Sequence, residues 1–301
     1  MNLTPRALVI STREQLHGET GNTSAIPFIA LKDSLEFLEE ELQEMFGKEI
    51  KFPIDVEGAE YLFFAPVSDY LMEAETLMGI ASVLNAAGVS WTISSKYYDA
   101  INYGLFYSDL VLERVLGKIE EEYHRLKAKK VLIGECGHAT RSATFLKSFW
   151  KRGEAPEVVN ILQLTHKLLN EGRIKLDTTK ITEKVTYHDP CNISRQGWII
   201  KEPREILKSF CKNFVEMTPS GQENYCCGGG GGTVSIDEIR KYRTLVSGQK
   251  KAEQIRKTGA HYIVAPCANC KKQIRETMED NNVDGELLGL HDLILKAIII
   301  E

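Results

Sequence analysis

Tyr225-Cys226-Cys227-Gly228-Gly229-Gly230-Gly231-Gly232 sets two adjacent cysteines directly before five glycines. Glycine loses more backbone freedom on folding than any other residue, so five in a row oppose folding unless the backbone turns sharply or approaches something closely. Neighbouring side chains in an extended segment point in different directions. A vicinal cysteine pair therefore grips one small tetrahedral ion poorly, but can ligate two metal atoms of a cluster. The glycines read as clearance, with the backbone N–H groups of Gly228 and Gly229 available to cluster sulfurs.

Three further cysteines extend the pattern: Cys191 in His188-Asp189-Pro190-Cys191, then Cys267 and Cys270 in Pro266-Cys267-Ala268-Asn269-Cys270. The arrangement, C-x34-C-C-x39-C-x2-C, resembles the CCG domain, the cysteine-rich module of heterodisulfide reductase B and D subunits. The resemblance covers about residues 58–275, although the second long spacer is slightly longer than is usual there. It implies that Cys191, Cys226, Cys227, Cys267 and Cys270 hold one noncubane [4Fe-4S] cluster.

Competing readings explain less. Zinc takes four ligands in a closed tetrahedral shell, which leaves a fifth cysteine over. Cys267-x-x-Cys270 alone could be a thioredoxin-like pair, but not beside three more cysteines. The glycine run lacks the Lys-Ser/Thr ending of a phosphate loop. Cys211 lies outside the motif and reads as a small buried apolar side chain.

Outward from this loop the chain reads as alternating strands and helices. Residues 1–57 form a mainly helical leader, with Leu31, Leu35, Leu38, Leu42 and Met45 near helical spacing over 31–46 and a polar loop at 16–24. Strands are expected at 61–65, 89–93 and 130–134, with helices at 71–87, 110–127 and 139–150. Residues 151–182 read as a linker with a helical stretch at 158–169. The order then replays: strand 184–187, helix 203–211, strand 214–217, the glycine loop, and strand 262–265. Ser235-Ile236-Asp237-Glu238 reads as a capping box opening a helix to about 258. The tail 276–301 carries an apolar helix over 292–300. The expected fold is α/β: two pseudo-symmetric CCG-type units, 58–150 and 183–275, each with a mostly parallel sheet. Ligand loops should follow the carboxyl ends of the strands.

The two halves align. Ala65-Pro66-Val67 matches Asp189-Pro190-Cys191, Ile93-Ser94-Ser95 matches Tyr225-Cys226-Cys227, and Glu135-Cys136-Gly137-His138-Ala139 matches Pro266-Cys267-Ala268-Asn269-Cys270. Of the five ligand positions the first half keeps only Cys136. The resemblance therefore departs from the two-cluster B-subunit pattern towards the single-cluster catalytic subunits of sulfate reducers' membrane redox complexes. Cys136 is a packed vestige, a pocket thiol activated by His138, or a ligand of a second cofactor. His188 is a candidate proton donor to a leaving thiol.

The formal charge of −5 over 301 residues, without a dense Lys/Arg cluster, argues against nucleic-acid binding. No apolar run reaches the roughly 18 residues that span a membrane. The first eight residues show no secretory core, so a cytoplasmic chain is expected, free or peripheral on a membrane-bound complex. Seven cysteines in a chain this long then point to metal or redox chemistry. The resemblance implies reduction or formation of a disulfide-type bond in a small molecule or protein. A quinone-reducing subunit and an electron-transfer module without substrate are the alternatives. No second cluster motif and no nucleotide fingerprint are visible. Electrons should therefore come from a ferredoxin-like iron–sulfur subunit, with the leader and the apolar tail as candidate docking surfaces.

Overall fold

The computed structural model describes residues 28–99 and 108–301, so the stretch 16–24 expected as a loop lies outside the described residues. Helix α1 (Phe28–Phe46) buries Leu35, Leu38 and Leu42, whereas Met45 from the same expected stripe is exposed. The first unit runs β1 (Tyr61–Phe64), α2 (Val67–Leu71), α3 (Ala74–Ala86), β2 (Trp91–Ile93), α4 (Asp109–Arg125), β3 (Lys130–Ile133), α5 (Gly137–Ala143), α6 (Leu146–Phe149) and β4 (Glu157–Asn160). After α7 (Ile161–Asn170), the second runs β5 (Lys184–Tyr187), α8 (Cys191–Ser194), α9 (Lys201–Phe210), β6 (Asn213–Phe214), α10 (Gln249–Thr258), β7 (Tyr262–Val264), α11 (Ala268–Asp280), β8 (Glu286–Leu288) and α12 (Leu290–Leu295).

The sheets have the orders β2-β1-β3-β4 and β6-β5-β7-β8, and every named pair is parallel. The repeat seen in the sequence is thus a repeat of topology. Strands such as Tyr61–Phe64 are buried along their whole length, because crossover helices cover parallel sheets on both faces. Between β1 and β3, and again between β5 and β7, the chain leaves adjacent strands in opposite directions. That opens a crevice beyond their carboxyl ends.

Four segments differ from the sequence reading. Residues 158–169 were expected as one helix inside a linker, yet Glu157–Asn160 pairs with β3 as the fourth strand of the first sheet. Asn160 ends that strand and caps α7 at once, its side chain accepting from the Leu162 N–H at 2.8 Å. No turn residue separates the two, so the apolar pattern runs on unbroken. The helix expected over 235–258 is instead two 3-10 turns (Thr233–Ser235, Asp237–Ile239), a π turn (Tyr242–Val246) and α10. The wide turn draws Arg243 inward. Its guanidinium bonds Gln273 and, at 2.5 Å, Glu276, and its carbonyl accepts from Gln273 at 3.1 Å. Third, α11 and β8 follow where only a tail was read. Finally, the apolar tail is no free docking surface: α12 ends at Leu295, and Leu293, Ile294, Leu295, Ala297 and Ile298 are all buried.

The C-terminal helix stitches the halves together. A Cβ on Gly79 of α3 would lie 2.1 Å from the His291 carbonyl oxygen, so α3 and α12 approach as closely as a glycine permits. Beneath this seam runs a buried polar network. Lys271 donates to Thr76 at 2.6 Å and pairs with Glu73 at 3.4 Å, and Thr76 bonds Asp292. Glu135 accepts from the backbone N–H of His291 (2.6 Å) and Leu290 (3.1 Å) and bonds the His291 ring. Glu135 thereby anchors the residue before Cys136 to the last helix.

Asp69 of α2 lies buried beside this network, with no hydrogen-bond partner for Oδ1 among the described residues. Burial pushes its carboxyl up to about 8; Lys271 pulls the other way, while Glu135, Asp292 and Glu73 add to the rise. A carboxyl raised in the folded state stabilises the fold fully below its unfolded value and loses that contribution as pH climbs to its folded value. The contribution of Asp69 to stability is therefore expected to fall between about pH 4 and about pH 8, so Asp69→Asn should gain on the wild type across that window. Urea unfolding at several pH values checks this; parallel slopes in the two proteins would refute it.

Candidate functional site

All five motif cysteines converge at the carboxyl ends of β5, β6 and β7. Cys191 opens α8 after β5, Cys226 and Cys227 sit in the glycine loop after β6, and Cys267 caps α11 with Cys270 one turn on. The sulfurs of Cys227 and Cys270 are 3.1 Å apart, and those of Cys191 and Cys226 3.8 Å. Cys227, Cys267 and Cys270 are buried, Cys191 is half-buried and Cys226 exposed, which makes Cys226 the mouth of the site.

The first half is present as well. Cys136 caps α5 at the position equivalent to Cys267, and the two sulfurs meet at 3.6 Å. His138 Nδ1 lies 3.3 Å from the Cys267 sulfur, and a Cβ on Gly230 would be 3.7 Å from His138 Nε2. From the other side His188 lies with Cys227 and Cys270, one ring nitrogen and the two sulfurs all within 4.8 Å of one another. The structure therefore brings every expected site residue into one place.

The glycine loop fits this crowding. The N–H of Gly228 points at the Cys226 sulfur and that of Gly229 at the Cys227 sulfur, both at 3.4 Å. Gly228 has φ +91°, a conformation that side chains resist. A Cβ on Gly229 would meet Gln273 Cβ at 2.8 Å and the Asn269 carbonyl oxygen at 3.0 Å, so α11 leaves no room for one.

Thiols packed this closely cannot titrate independently. Hydrogen bonds from Cys191 and Cys227 pull the Cys226 thiol down to about 2, helped by the Gly228 N–H. Hydrogen bonding from Cys136, then from Cys270, holds Cys267 well below the ordinary thiol range. Their donors Cys136, Cys191, Cys227 and Cys270 are pushed up correspondingly. Isolated Cys211 is raised to about 12 by burial alone.

Sequence reading passed over two residues here. Lys251 of α10 is buried, and its ammonium donates to Asn224 at 3.0 Å and to Gln254. Burial pulls it down to about 8, against the attraction of Cys227, Cys270 and Cys226. A buried lysine near the thiols supplies a counter-charge. Asn224 relays its orientation: with its oxygen on Lys251, its amide nitrogen faces the Asp189 carbonyl (2.7 Å) and His188 Nδ1 (3.3 Å). His188 Nδ1 thus accepts, and Nε2 carries the proton. That Nε2 is buried and has no partner among the described residues. Burial holds the ring well below the usual histidine range, so it is neutral. The local signals were Asn224, two residues before the cysteine pair, and a lysine on the inward face of α10. Neither carries a motif.

Soft sulfur donors in this number suit an iron–sulfur cluster rather than a hard cation. The glycine cradle, the buried lysine and the unpartnered His188 nitrogen agree with a thiolate-held group, and no feature of the site opposes one.

Comparison with known proteins bears on the same segment. Residues 185–275 match the CCG cysteine-rich domain. Along its full length the chain is 24% identical to the Hdr-like menaquinol oxidoreductase iron-sulfur subunit of Archaeoglobus profundus, of which it covers 61%. It is 26% identical over 87% of its length to iron-sulfur subunit 2 of the corresponding Archaeoglobus fulgidus enzyme, covering 55% of that protein. It is 25% identical over 80% of its length to the D subunit of the dihydromethanophenazine:CoB–CoM heterodisulfide reductase of Methanosarcina barkeri, covering 59% of it. The chain thus spans little more than half the length of these relatives.

Proposed function

We propose that the chain is an iron–sulfur redox subunit that reduces or forms a disulfide-type bond, using one noncubane [4Fe-4S] cluster held by Cys191, Cys226, Cys227, Cys267 and Cys270. The observation that carries this reading is the convergence of five sulfurs from three consecutive strand ends on one largely buried point. The CCG match and the heterodisulfide reductase and iron-sulfur relatives support the redox class. Such a cluster supplies single-electron steps and iron positions where a sulfur can bind.

The chain's own residues supply the rest. Cys226, exposed at the mouth, marks where a substrate sulfur approaches. The Nε2–H of His188 can donate to a departing thiolate, since Asn224 holds its other nitrogen as acceptor. Lys251 offsets negative charge gathered on the thiolates. Burial of Cys227, Cys267 and Cys270 keeps water from the cluster side.

Electrons enter, on this reading, from a ferredoxin-like subunit in a larger complex. Among the described residues no helix is long and apolar enough to cross a membrane. The names of two relatives favour a second reading, oxidation of a menaquinol-type substrate.

Anaerobic turnover with an artificial one-electron donor separates these. Reduction of a small disulfide is expected, with no sustained activity from NADH alone. Quinol-driven reduction of an artificial one-electron acceptor, with no reduction of any disulfide, would move the assignment to the second reading. NADH-driven disulfide reduction by this chain without flavin or protein would remove the need for a donor subunit.

A further inference from the structure

We propose that Cys136 and His138 of the first unit, together with Cys267 of the second, bind one metal atom at the seam between the halves. A tetrahedral metal with bonds of about 2.3 Å to sulfur and about 2.0 Å to nitrogen holds its ligands roughly 3.8 Å (S to S) and roughly 3.5 Å (S to N) apart. The observed separations are 3.6 Å from Cys136 to Cys267 and 3.3 Å from His138 Nδ1 to Cys267, and all three ligand atoms lie within 4.8 Å of one another. All three residues are buried.

The site is built, and from both sides. Cys136 is held by Glu135, which is tied to the backbone of Leu290 and His291. A Cβ on Gly137 would sit 3.1 Å from Pro190, which brings α5 hard against the loop that carries Cys191. The second donor on α5, His138, occupies the repeat position of Asn269. A unit that lost four of its five cysteine positions thus still presents one thiol and one imidazole to its partner's thiolate.

Three protein donors of the type Cys2His leave a fourth vertex for a further ligand, the arrangement of a reactive rather than a closed site. That ligand is a sulfur, either a bridging sulfide of the cluster or the sulfur of a bound thiol-containing substrate. The metal is one that takes thiolate and imidazole together: an iron of the cluster itself, or a separate zinc or iron. Cys136 and His138 then act as metal ligands instead of a free nucleophile and its base. The proposal shares only Cys267 with the five-cysteine reading and rests on that reading through this one thiolate.

Two measurements on the full chain test it. In anaerobically reconstituted protein labelled with 15N-histidine, pulsed spin resonance should show a histidine nitrogen bonded to the paramagnetic centre. His138→Gln should abolish that coupling and His188→Gln should keep it. If the metal is separate, iron-free protein titrated with Co2+ should show thiolate-to-cobalt absorption. There Cys136→Ala or His138→Gln should weaken one equivalent of binding at least tenfold. Either result supports the seam site and says whether its metal belongs to the cluster or is separate from it. No nitrogen coupling in the wild type, together with cobalt binding unchanged in both variants, overturns it. Wild-type protein that takes up no iron or sulfide but still loses a cobalt equivalent in the variants would sink the five-cysteine cluster while leaving the seam site standing.

Discussion

Cys227→Ser is expected to reduce the iron and acid-labile sulfide of anaerobically prepared protein to near background. Cys227 is buried at the centre of the thiol group, 3.1 Å from Cys270 and next to Cys226, with the Gly229 N–H on its sulfur. Serine keeps the volume but offers a hard oxygen that does not ionise at neutral pH, so one soft donor is lost with nothing behind it. Cys211→Ala is the control. That thiol is buried against the apolar core and is expected to leave iron and sulfide unchanged. Full iron content in Cys227→Ser, or stoichiometric zinc without sulfide in the wild type, would reject the five-cysteine cluster.

Lys271→Met is expected to cost about 3–5 kcal/mol of unfolding free energy. The ammonium is fully buried, donates to Thr76 and faces Glu73. Desolvation disfavours its charge, but Asp292, Asp69, Glu73 and Glu135 outweigh that and hold the group above the ordinary lysine range. Methionine fills similar space and leaves Asp292, Asp69 and Glu135 without that cation, while Glu73 keeps Arg275 at 2.9 Å. Removing one partner of a buried ionic group is costly because the other charges remain in place. The double variant Lys271→Met/Asp292→Leu should recover part of the loss, since it removes a stranded charge with the cation. Denaturant midpoints of the wild type and both variants decide it. A single-variant loss under about 1 kcal/mol, the range of an exposed pair, would show that the network is hydrated in solution.

Much of the fold could be read from local signals because it is written in local chemistry. Short apolar runs such as Tyr61-Leu62-Phe63-Phe64 cannot sit in a half-exposed strand, so a parallel sheet covered on both faces follows from them. The internal alignment of Glu135-Cys136-Gly137 with Pro266-Cys267-Ala268 anticipated two units of the same strand order. Where reading failed, a tertiary partner had overridden the local preference. Glu157–Asn160 is a strand because the open edge of β3 supplies a ladder, and residues 235–247 are no single helix because buried Arg243 must reach Gln273 and Glu276. The apolar tail looked like a surface for a partner because a pattern of apolar residues does not say what it packs against.

The donor set is legible in the chain without coordinates: a vicinal cysteine pair, a glycine run that only close approach can justify, and three further thiols at strand ends. Residue type and spacing mark these thiols as one group, and the resemblance to the CCG domain is what implies their role as cluster ligands. What surrounds the donors was settled by folding. Lys251, Asn224, Cys136 and His138 reach the site from three separate segments, and no spacing rule joins them. Whether Cys136 is a vestige or a neighbour of Cys267 turned on how the two halves dock. That docking is fixed by the glycine contact of α3 with α12 and by the buried charges beneath it. Distances between groups far apart in the chain are set by packing, and packing is a property of the whole molecule.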